Sequence, residues 1–365
     1  MAGFTYYVYF SNTGAFSGEQ TQLTNVQSFR SFRGRQGSLD AISAGSFTIT
    51  VMNPQQTVLV NQYVIITTSS TFTSPDLFVA YGQITDLQYQ YYNQSITAGD
   101  VLTITCIDAL GLIMAGNVTG NANSDLSGTF LNNTLAAAGL APFYSVDAGL
   151  SNCSNQVYAN VALSDAFNKI QNTERGHLWV RPYAPPLSYF RQRGKYTAQA
   201  VSFDPSTNSS TKQVYQEITF QSATTEVFSR FTIAPEGLLP QTYPSSPGSG
   251  SKTGSLDSYD DKTTQAIRNA ESAAAMYSST GPRIKSVTCF DKAQTTQKLN
   301  VFDVNDKVTV RWRNTDYVGI IEGIEVSASP NGAYYTFYFT SADTMNYLIL
   351  DDDPFGKLDY NRLGF

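Results

Sequence analysis

Phe47, Ile49 and Val51 alternate with Thr48, Thr50 and Met52, a period of two that predicts a half-buried strand closed by the turn Asn53-Pro54. Similar patterns predict strands over 6–10, 63–68, 77–91 and 101–107, so residues 1–113 read as a succession of strands. Residues 114–162 are rich in Gly, Asn and Ala and show no clear period. Leu163, Ala166, Phe167 and Ile170 then fall at helical spacing, with Ser164 as the expected N-cap and Gly176 as the stop. Two short strands, His177–Val180 and Leu187–Arg191, flank the proline-rich turn RPYAPP. Strand patterns resume over 215–220 and 226–233. The stretch PSSPGSGSKTGSLDSYDDK, residues 244–262, is polar and rich in turn residues and predicts a flexible surface loop. A helix over 263–277 follows, with Ile267, Ala270, Ala274 and Tyr277 along one face.

The pattern also repeats. Val60-Asn-Gln-Tyr-Val-Ile-Ile66 lines up with Val304-Asn-Asp-Lys-Val-Thr-Val310. Each copy is followed by a long strand with a central glycine, read as Gly82 in the first and Gly323 in the second, and then by an alternating strand ending in an aspartate, Asp108 and Asp343. A strand glycine marks a tight bend or a close backbone approach. Three matched elements in one order predict two homologous small antiparallel β-barrels in a mostly β chain.

Composition strengthens the β reading. Charged residues are only 14% of the chain, while 23 Tyr, 22 Phe and abundant Ser, Thr and Asn favour pleated, half-buried surfaces. The net charge of −6 argues against a nucleic-acid-binding surface over the whole protein. No apolar run is long enough for a membrane span, and the N-terminal MAGFTYYVYF lacks the pattern of a secretory signal. Cys106, Cys153 and Cys289 are odd in number and far apart, which predicts buried free thiols.

Catalytic patterns are sparse. The single histidine, His177, stands in an alternating strand beside Trp179, where a structural ring is expected rather than a member of a triad. No Cys-x-x-Cys or His-Glu-x-x-His occurs, so no metal site is expected. Asp351-Asp352-Asp353 lacks the calcium-loop spacing and reads as a solvated acidic turn before Pro354. A glycosidase carboxylate pair across strands is invisible in a sequence and stays open. No catalytic, cofactor or metal residue is assigned.

Longer motifs point to a family. FRSFRGRQGSLDAISAGSFTITVMNP closely resembles the N-terminal segment of minor tail proteins of tailed bacteriophages, matching at Arg33, Gly34, Arg35, Gln36, Leu39, Asp40, Ala44, Gly45 and Asn53. The ending YLILDDDPFGKLDYNRLGF is similar to that family's tail. LSDAFNKIQNTERGHLWV resembles its middle domain, and TTQAIRNAESAAAMY the helix before its last barrel. The resemblance implies a baseplate or tail-tip hub with two homologous barrels and an inserted α+β middle domain. The expected partition is 1–113 for the first barrel, 114–212 for the middle domain, and 213–243 with 283–350 for the second barrel. Residues 244–282 would be an inserted loop and helix, and 351–365 a C-terminal tail.

That family implies a structural virion protein without turnover or cofactor, made in the host cytoplasm and built into the tail tip. Its expected form is a homotrimer, a pseudo-sixfold ring with a channel for the genome. Expected partners are the tail tube and distal tail protein ring, the C-terminus of the tape measure protein, and a tip fibre or spike. Specific nucleic-acid binding and stable membrane insertion are not expected. A receptor- or glycan-binding tail protein and a tail-associated cell-wall hydrolase are the competing readings. Arg33, Arg35 and Gln36 are the candidate interface residues. The guanidinia of Arg33 and Arg35 suit carboxylates of a neighbouring subunit, against the alternative of an exposed loop tip, and Gly34 lets the chain turn between the two arginines.

Overall fold

The computed structural model describes residues 6–16, 18–37, 39–70, 72, 74–91, 99–206, 209–221, 228–246, 252–277, 283–291 and 297–341. The first part of the chain forms β1 (Tyr7–Ser11), β2 (Val26–Gly34), β3 (Ser46–Met52), β4 (Tyr63–Thr67), β5 (Phe78–Gln90) and β6 (Val101–Asp108). Helix α1 (Ala109–Met114) follows at once, capped by the Asp108 carboxylate, which accepts from Gly111 N. A middle section holds β7 (Asn117–Ala122), α2 (Ser127–Ala137), β8 (Gln156–Ala162), α3 (Leu163–Glu174), β9 (His177–Arg181) and β10 (Leu187–Arg191). Then come β11 (Glu217–Gln221), β12 (Arg230–Pro235), β13 (Gln241–Tyr243), β14 (Thr253–Ser258) and α4 (Thr263–Tyr277). The chain closes with β15 (Arg283–Asp291), β16 (Asp306–Trp312), β17 (Thr315–Ser329) and β18 (Gly332–Ser341). The fold is mostly β.

The strands of the first and last parts share one large curled sheet. Along it the first part runs β2-β3-β6-β5-β4-β1, and the last part runs β11-β15-β18-β17-β16 in matching order. The register makes the correspondence residue-specific. Asn61 and Asn305 both take φ of 72°, and their N–H groups donate to Ile84 O at 2.9 Å and Ile321 O at 2.8 Å. Val64 faces Gly82 as Val308 faces Gly319. The ladder of β5 with β6 shifts between Ile84 and Asp86, and that of β17 with β18 between Ile321 and Gly323. Thr85 and Glu322 therefore occupy the same bulge. Ile49 and Val287, Ile84 and Ile321, and Ile104 and Phe337 are equivalent and fully buried.

This register corrects the expected alignment of glycines. Gly82 matches Gly319, not Gly323, because the connection before the second long strand is shorter than that before the first. Asp108 matches Ser341, and Asp343 lies outside the described residues. The flanks also differ: β1 lies antiparallel to β4, whereas Thr197–Ala198 and Ser202–Phe203 run parallel to β16.

Three apolar cores hold these layers. One joins Phe29, Ile49, Val51 and Ile104 to Val287, Tyr335 and Phe337. A second packs Ile65, Tyr81 and Met114 against Phe130, Phe167 and Phe190 of the middle section. Each such fully buried ring removes enough apolar surface to contribute roughly 1.5–3 kcal/mol. Helix α3 starts at Leu163 rather than being capped by Ser164: Ala162 is the N-cap, without a side-chain bond. It ends as expected, with Arg175 left-handed at φ 56° just before Gly176.

Part of the expected loop over 244–262 is a strand. β14 pairs parallel with β12 from Arg230–Thr253 to Pro235–Ser258. Its polar composition is accommodated because Ser258 Oγ donates to Asp260 Oδ2 at 2.7 Å and Asn269 Nδ2 donates to Asp260 Oδ1 at 2.8 Å. Tyr259, between them, is buried beside Phe130 and Tyr158. A third core places Phe231 and Ile233 of β12 against Ala266, Ala270 and Ala273 of α4.

Candidate functional site at the seam between the two halves

The two halves of the sheet meet where β2 adds antiparallel to β17, from Phe29–Ala328 to Gly34–Gly323. Backbones approach closely at its end: a Cβ on Gly34 would lie 2.3 Å from Glu322 O, and one on Gly323 2.4 Å from Arg35 O. Gly34 also takes a φ of 84°. Only glycine meets both demands, and the chain turns there between two arginines.

The bulge at Glu322 aims its carboxylate inward. Arg35 Nε donates to Glu322 Oε2 at 2.7 Å, and His177 Nε2 from β9 lies 3.2 Å from the same oxygen. All three side chains are largely buried. Burial alone would raise the Glu322 carboxyl, but Arg35 and then His177 outweigh it and hold it down to about 2. Arg35 N also donates to Glu322 O at 2.9 Å.

A second node lies alongside. Arg33 Nη2 contacts Asp303 Oδ1 at 3.3 Å, and Trp179 Nε1 donates to Asp303 Oδ2 at 2.9 Å. Arg181 Nε stands 3.9 Å from Asp303 and its Nη2 is paired with Asp76. Burial is the main cause lowering the Arg33 pKa; Asp303 opposes it and Arg181 adds to it. Asp306 accepts from Asp303 N and from Gln199 Nε2, each at 2.7 Å. Burial first, and the Asp303 carboxylate next, push Asp306 up to about 8. First half, middle section and second half are thus tied together by charge-assisted bonds between buried and half-buried groups.

Of the predicted site residues, Arg33 and Arg35 are engaged with carboxylates of their own chain, and Gln36 is exposed. Glu322, Asp303 and Asp306 were not foreseen, because pairs 270 and 287 residues apart leave no local signal. Among the described residues no three His, Cys, Asp or Glu side chains are grouped to hold a metal ion, and no helix is long and apolar enough to cross a membrane. Asp351 to Asp353 and the C-terminal motif lie outside the described residues. The three cysteines are free and buried, and burial pushes each thiol pKa up.

No protein-family model matches the sequence, and no curated protein matches it. Solved structures do. The tail protein from Neisseria meningitidis MC58 is similar with a TM-score of 0.63 at 13% identity, over 94% of this chain and 98% of its own. The fold is that of the phage tail proteins. The 43 kDa tail protein of prophage MuSo2 from Shewanella oneidensis is similar with a TM-score of 0.61 at 13% identity, over 93% of this chain and 99% of its own. A type VI secretion component from E. coli, described as structurally similar to the T4 tail proteins gp27 and gp5, has a TM-score of 0.53 at 8% identity, covering 91% of this chain and 80% of its own. This tail-protein fold extends over both halves of the sheet and the middle section alike.

Proposed function

We propose that the chain is a structural protein of the virion tail, the hub that connects the tail tube to the tip. The observation that carries the reading is the match to two tail proteins over nearly the whole of each chain, joined to the matched strand order of the two halves. Each half would be one small barrel, the first over 1–113 and the second over 213–243 with 283–350, except that β12 and β13 join β14 and α4 in a layer of their own, with 114–212 as the inserted domain. Three chains would then place six near-equivalent units around an axis, a closed cyclic form that matches a sixfold tube to a threefold tip. The tube and distal tail protein ring would sit on one side and a fibre or spike on the other. The tape measure C-terminus and the genome would use the channel. A channel that passes DNA needs a wall that does not hold phosphate, which the net charge of −6 favours.

The chain acts in this reading without turnover. His177 is spent on Glu322 inside the seam, and the thiols are buried and protonated. Cell-wall release and glycan-array assays on the purified chain test this directly: both are expected to be negative. Cell-wall cleavage would replace the reading by a hydrolase, and specific sugar binding by a receptor-binding protein.

A further inference from the structure

The seam inside the chain uses two edges whose counterparts carry no strand among the described residues. With Gly82 matched to Gly319, residues 323–328 of β17, which receive β2, correspond to 86–91 of β5 and its end. Along that edge β4 pairs with β5 only as far as Gln83. Beyond the Asn61 bond to Ile84, the ladder of β5 among the described residues is with β6 alone. The donor edge is duplicated too. Phe29 faces Ile49 as Ile218 faces Val287, so β11 corresponds to β2, and among the described residues β11 pairs only with β15. The receiving edge ends in Tyr89 and Tyr91, which are 40% and 73% exposed and stack at 6.0 Å. A long uncovered edge with exposed aromatic rings is a template for another strand.

We propose that β11 of one copy adds antiparallel to the outer edge of β5 in the next copy, with Ile218 opposite Tyr91 and Thr219 opposite Gln90. These pairs repeat, between chains, the Phe29–Ala328 and Arg30–Ser327 pairs found within one chain. The partner is a second copy because the chain itself carries both the open edge and the strand whose twin fills the equivalent edge. Each copy gives one strand and takes one, a head-to-tail contact that closes into a ring; in this the inference rests on the hub reading.

The two joints are chemically distinct. Within the chain, Arg30 Nε pairs with Glu325 Oε1 at 2.6 Å and Arg35 with Glu322. The matching positions Thr219, Gln88 and Thr85 are uncharged. Placed on β5, β2 would find Gln88 and Thr85 in place of Glu325 and Glu322, and Asp86 in place of Gly323, where a Cβ has no room against Arg35 O, so each edge selects its own strand.

The test is the full chain carrying Gln90→Cys with Thr219→Cys, oxidised mildly and run without reductant, beside native mass spectrometry of the same sample. Directly opposed residues have Cβ atoms about 4.5–5.5 Å apart, near disulfide reach, whereas a pair displaced by two residues stands about 7–8 Å apart. The expected result is disulfide-linked oligomers up to the mass of the ring. Each single variant, and Gln90→Cys with Gln221→Cys, should link at least tenfold less. A ring that forms without the link overturns the strand pairing and leaves the hub reading standing. Failure of both ring and link at every concentration overturns the two together. Equal linking by the displaced pair overturns the register, and a link confined to single chains overturns the partner.

Discussion

Arg35 and Glu322 meet at 2.7 Å although 287 residues separate them, and His177 from the middle section shares the same carboxylate oxygen. One buried acid therefore holds side chains from two other parts of the chain. Its bulge position is occupied in the first half by Thr85, which is exposed. The two halves share a strand order, but of the two equivalent bulges only the one at Glu322 carries a buried charge.

Glu322→Ala removes the carboxylate that His177 contacts and leaves Arg35 buried without that partner. Breaking a buried pair from one side costs about 3–5 kcal/mol. Denaturant unfolding of the variant should show a loss of that size; a loss below about 1 kcal/mol would contradict the geometry.

The Glu322 carboxyl falls from an ordinary 4.5 to about 2 on folding. Its contribution is full above pH 4.5 and is lost as pH falls towards 2. Asp306 has the opposite sign, raised from 3.8 to about 8, so the folded state keeps a proton that the unfolded chain releases. Its contribution is full below about pH 4 and is lost as pH rises through 8. Asp306→Asn keeps an oxygen for Asp303 N and Gln199 Nε2 but has no proton to lose. Melting temperatures compared at pH 5 and 8.5 should drop less in the variant than in the parent protein. Equal drops would show that Asp306 does not titrate there.

Tyr6 and Tyr335 share a buried hydroxyl–hydroxyl hydrogen bond of 2.9 Å that ties the first residues of the described chain to β18. Loss of one buried partner costs about 1–3 kcal/mol. Tyr335→Phe should destabilise within that range. The double variant with Tyr6→Phe should lose less than the two single losses combined, as expected of residues in contact. Strict additivity would show that the bond contributes nothing.

Gly34→Ala adds a Cβ 2.3 Å from Glu322 O at a φ of 84°. The left-handed backbone alone costs about 1–2 kcal/mol, and the backbone contact must also open. The seam should loosen: hydrogen exchange of amides in 323–328 should speed up at least tenfold while those of β3 and β6 change little. Unchanged exchange along 323–328 would refute the close packing.

Much of this was legible in the sequence. The strands of 46–52 and 101–108, the helix over 263–277 and the β9–β10 hairpin follow from periodicity and turn residues, because each buries one face against its neighbours. The repeat was legible through Val60–Ile66 and Val304–Val310, whereas its glycine register was not: Gly82 and Gly323 stand at similar distances from the two asparagines, and only the ladder shows Gly319 opposite Val308. The strand Thr253–Ser258 was hidden by its polarity, since its hydrogen bonds come from β12 and its buried Tyr259 and Asp260 are satisfied by α2, β8 and α4. Arg33, Gly34 and Arg35 stood out as a motif. Their carboxylates did not, because contacts between distant strands leave no trace in either strand alone.

The central claim is tested most directly by a cryo-electron-microscopy reconstruction of the assembled tail tip with this chain placed in it. Three copies are expected around the axis, with the sheet halves built on β5 and on β17 alternating to give six near-equivalent positions. A single copy there, or a ring in which the two halves do not alternate, would contradict it.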